Sequence, residues 1–222
     1  MPSKKILAGC CLALLPAWVQ AQDSSLAAGV TAGTMGLGLT ATTRVSEHVN
    51  IRAIVAGISV DTSGETDEVD YEADADLLFA GGMVDLHPAG GVFRLSLGLF
   101  HNGSDIRANG RCTRTDCQLG SGLGLIGNGD RIEGDIDFNS AAPYLGLGWG
   151  NSVGTAGRWH FSFDLGAMYI GEGEASLRCA QANTINQAAC TAGIREEERQ
   201  LQEDLADFKI YPVVMLGAAF RF

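Results

Sequence analysis

The last fifteen residues, Phe208 to Phe222, read FKIYPVVMLGAAFRF. Counting back from the end, Phe222, Phe220, Ala218, Leu216 and Val214 share one face, while Arg221, Ala219, Gly217, Met215 and Val213 share the other. A period of two is the signature of a strand. The first face suits lipid. The second is mostly small, with Arg221 near its end and Tyr211 further back, and suits a crowded interior. Strands that meet lipid have few ways to fold. Backbone N–H and C=O groups left unpaired in hydrocarbon each cost several kcal/mol, so an open sheet cannot cross a bilayer. A spanning helix needs ~20 consecutive apolar residues, and no such run occurs after position 21. A closed barrel is the remaining solution.

Residues 1–21 are set apart from that fold. Lys4 and Lys5 precede an apolar run from Ile6 to Val19, and Val19 and Ala21 occupy the cleavage positions of a secretory signal peptide. Leu7-Ala8-Gly9-Cys10 also matches the pattern that directs lipid to a cysteine, but too few apolar residues precede Cys10 for a signal's apolar region of about 7 or more. Residues 22–222 then form one domain. About eight tilted strands of ~10 residues, extended above the membrane, consume that length. Thirty glycines fit a small barrel whose wall must lack side chains where it faces inward. The net charge of −11 falls to −13 when Lys4 and Lys5 leave with the leader. That balance argues against nucleic acid as a partner and favours cationic solutes, divalent ions and basic proteins.

Along the chain, Val30 to Val45 predicts a strand in which Leu37, Leu39, Ala41, Thr43 and Val45 oppose Gly36, Gly38, Thr40, Thr42 and Arg44. After a turn at 46–48, Val49, Ile51, Ala53 and Val55 alternate with Asn50, Arg52 and Ile54. Two later strands are biphasic. Asp70, Glu72, Asp74 and Asp76 share a face with Leu78, Ala80, Gly82, Val84 and Leu86, and Glu133, Asp135 and Asp137 with Ala141, Pro143, Leu145, Leu147 and Trp149. A strand rising from a membrane into water has that pattern. Phe93, Leu95, Leu97 and Leu99 face out against Arg94, Ser96, Gly98 and Phe100, and Trp159 to Tyr169 repeats the scheme against His160, Ser162, Asp164 and Gly166. Trp149 and Trp159 flank one short turn, placing two indoles at a membrane edge. The segment REEERQLQEDLADF, with Leu201, Leu205 and Phe208 at helical spacing, predicts a short acidic helix in the last outer loop. Seven strands are clear. An eighth is expected because bacterial barrels are even-stranded with both ends periplasmic, either as a short strand within residues 22–35 or with the N-terminus threading the lumen. The fold class expected is therefore all-β: an eight-stranded antiparallel transmembrane barrel with periplasmic short turns and long outer loops.

The closing strand with its terminal Phe222 resembles that of Gram-negative outer-membrane barrels, in which the C-terminal aromatic is an assembly signal. Ala142-Pro143-Tyr144-Leu145-Gly146-Leu147-Gly148, the Gly-Thr-Met-Gly-Leu-Gly opening at 33–38 and the acidic helix before the closing strand resemble the small ornithine-uptake (CarO-type) porins. More loosely, the layout is similar to OmpW-type barrels. The resemblance implies a bacterial outer-membrane location, a narrow or closed lumen, uptake of basic amino acids, and contact with lipopolysaccharide and the outer-membrane assembly machinery. Four cysteines in the outer loops depart from that group's pattern.

The candidate site follows from the faces. Arg44, Arg52, Asp85, Arg94, Tyr144, His160, Asp164 and Tyr211 are placed on the lumen side, where charges must pair or meet water. They form either a plug of satisfied ion pairs or a wet path that selects solutes. The acidic rim, Asp70, Glu72, Asp74, Asp76, Glu133, Asp135 and Asp137, suits solvent, a weakly held Ca²⁺ or Mg²⁺, or ion-bridged lipopolysaccharide phosphates. No cofactor or dedicated metal site is expected, nor an enzyme. His160, Ser162 and Asp164 stack on one strand face, but side chains two apart lie about 7 Å from each other, too far for a relay. An oxidising compartment predicts disulfides for Cys112, Cys117, Cys179 and Cys190, and the local pairing, Cys112–Cys117 with Cys179–Cys190, keeps both closures within one loop. The mature chain should therefore resist alkylation under denaturing, non-reducing conditions and gain four adducts by mass once reductant is added.

Overall fold

The structure, a computed structural model, describes residues 26–65, 69–113, 117–119, 124–126, 131–154, 156–181, 187–206 and 208–222. The signal peptide expected at 1–21 lies outside the described residues. Eight strands close a ring: β1 (Leu26–Gly33), β2 (Gly36–Arg44), β3 (Val49–Glu65), β4 (Val69–Leu86), β5 (Phe93–Asn102), β10 (Ala141–Trp149), β11 (Trp159–Tyr169) and β13 (Ile210–Arg221). Every neighbouring pair is antiparallel, and β1 against β13 completes the circuit from Ala27↔Arg221 to Gly33↔Met215.

The eighth strand is β1, carved from the segment expected to begin one long strand at Val30. Thr34 and Met35 turn the chain, Gly36 takes φ +89°, and β1 pairs back on β2 with Val30↔Leu39 and Ala32↔Leu37. The phase of the pattern records the turn. Val30 and Ala32 face out at even positions, Leu37 and Leu39 at odd ones. The outward face of the ring is otherwise as the alternation requires, with Leu97, Leu145, Phe161 and Leu216 each more than 60 % exposed. At the short-turn end Phe93 meets Trp149 edge to face and Trp149 stacks on Phe163, with centroids 5.8 and 5.9 Å apart, and Trp159 meets Phe220 at 5.3 Å, forming an aromatic girdle.

At the other end the wall is uneven. β1 and β2 meet in a two-residue turn, whereas β3 and β4 stay paired for seventeen positions, to Glu65↔Asp70. There β4 changes partner. Its lower part pairs with β5 and its upper part, Val69–Asp76, with β6 (Asp105–Cys112), which continues through β9 (Arg131–Asp137) to β12 (Glu174–Gln181). This tall sheet leaves β12 as a free edge because β13 begins only at Ile210. Helix α1 (Gln187–Leu205) covers it: Gln202 accepts from the Ala175 N–H at 3.1 Å and donates to the Gly173 carbonyl at 2.7 Å, standing in for a missing strand. A separate small hairpin, β7 (Cys117–Leu119) with β8 (Gly124–Ile126), touches the helix.

The helix starts earlier than its acidic half suggested. Cys190 and Ile194 carry the apolar stripe of Leu201 and Leu205 back by two turns, and they pack on Cys112, Ile132, Leu177 and Cys179 beneath them. Cys179–Cys190 is bonded, with Cα atoms 6.5 Å apart. Cys112 is also disulfide-bonded and buried in the same cluster; its expected partner Cys117 has a side chain outside the described residues. Phe208 lies beyond the end of the helix and is exposed.

Missing side chains shape the interior of the wall. A Cβ on Gly166 would lie 2.5–2.6 Å from the ring and hydroxyl of Tyr144. Gly166→Val is accordingly expected to lose about 1–3 kcal/mol of stability in urea unfolding from lipid vesicles, whereas Gly91→Ala, with nothing within 4 Å of its Cβ, should unfold like the native protein.

Candidate functional site

Arginines and aspartates meet at the centre of the ring. Arg52 on β3 and Asp164 on β11 stand four strands apart in a circuit of eight, so their contact crosses the full diameter of the bore. The Arg52 guanidinium donates from Nη1 and Nη2 to both oxygens of Asp164 at 2.9 Å each, and from Nε and Nη2 to Asp85 at 2.9 and 3.0 Å. Two bidentate carboxylates thus grip one cation. Arg94 on β5 donates to Asp164 at 2.7 Å and to the Gly150 carbonyl, while its Nε stands 3.7 Å from Asp85 with no hydrogen-bond partner among the described residues. Ser96 donates to Asp85 at 2.5 Å. All five side chains are buried. Gly148 makes room for them: a Cβ there would lie 2.9 Å from an Asp164 oxygen and 3.1 Å from the Arg94 Nε.

Below this bracket, toward the short-turn end, a second polar layer fills the bore. His87 is wholly buried, its Nδ1 3.0 Å from the Gly91 carbonyl and its Nε2 3.0 Å from the Asn50 amide. Asn50 also donates to Asn151 at 3.2 Å. A carbonyl on one side and an amide N–H on the other define a neutral imidazole with the proton on Nδ1. Burial pushes the His87 pKa below its usual 6.5, helped by the charge of Arg94 and opposed by that of Asp85. A cavity of about 20 Å³ remains among Thr31, Thr42, Asn50 and Arg52, space for roughly one water.

Above the bracket the bore is apolar. Met35, Ile54, Phe79, Met83, Phe100, Tyr144, Met168, Val213 and Met215 form one buried cluster, with Phe100 and Tyr144 edge to face at 5.8 Å and Phe79 against Tyr211 at 5.4 Å. Every methionine after Met1 lies here. Flexible thioethers fill an irregular bore well. The protein therefore carries two seals in series, one ionic and one of packed hydrocarbon.

The lumen candidates sort accordingly. Arg52, Asp85, Arg94 and Asp164 form the bracket, and Tyr144 and Tyr211 belong to the apolar seal, the Tyr211 hydroxyl donating to the Thr34 carbonyl. Arg44 lies at the short-turn end, bonded to the Val153 carbonyl, and His160 lies beside the Gly157 carbonyl at 3.0 Å. Asp164 is consumed by the two arginines, so His160, Ser162 and Asp164 make no relay. Ser96, Asn50 and His87 were not singled out from the sequence, although Asn50 and Ser96 stand at inward positions of their strands; His87 lies one residue past the end of β4. The apolar seal was missed too, despite its signal in four methionines and two phenylalanines at inward positions.

The acidic rim residues lie on the outer surface of the tall sheet, continuous with the lipid-facing side chains below. Asp74 faces Arg107 and Asp70 faces Arg111 across β4 and β6, and Arg178 pairs with Glu133 at 3.1 Å and Asp135 at 3.0 Å. Such exposed pairs stabilise little. Among the described residues no group of three or more His, Cys, Asp or Glu side chains is placed to hold a metal ion.

No family model matches the sequence, and no curated protein matches it. Among solved structures the chain is similar to two from Acinetobacter baumannii, CarO2 and CarO, each with a TM-score of 0.59 and 19 % identity over 91 % of this chain and all of theirs. The likeness is one of fold.

Two outcomes follow from the polar layers. Asp164→Ala, which leaves Arg52 and Arg94 to share one carboxylate, should cost about 3–5 kcal/mol of unfolding free energy, and Arg94→Met with Asp164→Leu less than the two single changes together. The folded protein resists a proton on His87 that the unfolded chain accepts near 6.5, so stability should fall as pH drops through that value. His87→Gln should flatten that part of the profile, read as the urea midpoint between pH 8 and pH 5.

Proposed function

We propose that this protein is a non-enzymatic barrel of the bacterial outer membrane that is closed at rest and passes small solutes only when the ionic bracket is displaced. The short turns then face the periplasm, and the tall sheet, α1 and the disulfides face outward. Leakage of larger solutes is prevented by the two seals. The observation that carries this reading is the Arg52–Asp164 contact across the bore, framed by Asp85 and Arg94. A barrel that only needed filling would be served by hydrocarbon, since buried ion pairs are weak stabilisers compared with apolar residues of similar volume. Paired charges retained in the bore instead offer exchangeable partners. A basic amino acid presents an ammonium or guanidinium to Asp85 and Asp164 and a carboxylate to Arg52 and Arg94, and the net negative charge of the chain raises the local concentration of cations.

A second reading rests on the apolar seal above the bracket, which no charged solute crosses without the wall moving. On that reading the barrel stays closed and its acidic, disulfide-tied outer surface is the functional part. It would bind divalent ions, lipopolysaccharide phosphates bridged by them, or a host partner, with Asp70, Glu72, Asp74 and Asp76 at headgroup level.

Single-channel recording of the refolded mature protein in planar bilayers separates the two. Small discrete steps that ornithine or arginine blocks, with cation preference altered in Arg94→Ala, are expected from a gated path. Silence from protein shown to be folded by heat-modifiable migration, with Arg94→Ala merely less stable, would leave the closed surface barrel.

A further inference from the structure

Where the ring passes into the tall sheet, a cavity of about 410 Å³ lies beside the bore. Its floor is Phe79 and Tyr211, its walls are Ile106 and Phe138, and Leu205 at the end of α1 and Phe208 stand over it. That volume lies within the ~300–1,000 Å³ range of small-molecule sites. Among the described residues its lining holds no charged side chain, and the Ser104 hydroxyl already accepts from the Leu78 N–H at 3.3 Å. Asn102 accepts from the Ser104 N–H at 3.1 Å and donates its own N–H to the Ser140 carbonyl at 2.8 Å, and the Tyr211 hydroxyl is bonded to Thr34. Water needs two to four polar partners to occupy a cavity, and an apolar one stays dry and takes apolar guests. A polar solute on its way to the bore would find little here to replace its hydration.

The open side of the cavity decides the guest. The wall is low at β13, β1 and β2, and there the lining includes Ile210 and Pro212, which belong to the outward, lipid-facing row of β13. Phe208 and Ile210 are 67 % and 64 % exposed. The hydrocarbon surface is therefore continuous from the outside of the barrel, over this rim, into the cavity. From this geometry we infer that the cavity is a binding site for the chain of a single-chain amphiphile, a fatty acid, entering sideways over the β13 rim with its head group left in water. One chain fits the volume; the several chains of a membrane lipid do not. The site is independent of the ionic bracket and of whether the bore ever opens.

A diazirine-bearing fatty acid and a diazirine-bearing phospholipid, each photolysed with the refolded protein in phosphatidylcholine vesicles and mapped by peptide mass, test the assignment. The fatty acid should label the segments around Phe138 and Leu205–Pro212 saturably and be competed by unlabelled fatty acid. Labelling there should fall about tenfold in Ile106→Trp and in Leu205→Trp. Both substitutions fill the cavity from different elements, and heat-modifiable migration selects the variants that fold. Labelling spread without saturation over outward positions such as Leu97 and Phe161, and unchanged in the filled variants, would overturn the site. Saturable labelling of the cavity by the phospholipid would overturn the single-chain occupant.

Discussion

The hydrogen bonds between β1 and β13 carry the architecture. They join the first described strand to the last, from Ala27↔Arg221 to Gly33↔Met215, and without them two edges would present unpaired N–H and C=O groups to lipid. Closure explains features that look separate. The N-terminal segment must supply a strand although its sequence is small and weakly patterned. Gly29 and Gly33 are needed because a Cβ on either would fall within 3 Å of the β13 backbone. The Gly36 turn must be tight, because the outward rows of β1 and β2 have to remain on one face after the chain reverses.

A ring of eight strands leaves an interior just wide enough for side chains to fill, and the protein fills it with two chemistries. Packed methionines and aromatics close one stretch. Charges close the next, and there each buried guanidinium finds carboxylates because an isolated charge in that setting would be very costly. The arrangement is unequal. Arg52 is saturated by two bidentate partners, while Arg94 holds Asp164 closely, stands 3.7 Å from Asp85 and has an Nε with no hydrogen-bond partner among the described residues. Arg94 is the less firmly held cation of the pair.

The tall end faces a different constraint. Five strands continue beyond the ring while three stop, so the upper sheet cannot close and β12 is left as an edge. The chain answers with a helix whose Gln202 bonds to the edge and whose Cys190 is tied to Cys179 of the same strand. The covalent link and the side-chain bonds hold α1 against an apolar sheet face that would otherwise be wet. The same unevenness leaves the lateral gap above β13, and with it the apolar cavity, so cavity and helix are two consequences of one mismatch in strand length.

Much of this was legible in the residue order. Period-two alternation from Leu37 to Phe222 determines which side chains face lipid, because a strand has only two faces, and it carries the aromatic girdle at Trp149 and Trp159 and the switch from carboxylate to apolar along β4 and from β9 into β10. The inward rows of β3, β4, β5 and β11 also name Arg52, Asp85, Arg94 and Asp164. Alternation says which face a residue takes but not what lies opposite it. That Arg52 reaches Asp164 depends on the number of strands and the register between them, and both depend on β1 closing the ring through the phase change at Thr34 and Met35. The burial of His87, the reach of α1 back to Gln187 and the apolar filling of the upper bore likewise come from pieces distant in sequence. They were decided only when the wall closed and fixed the width of the space those side chains had to fill.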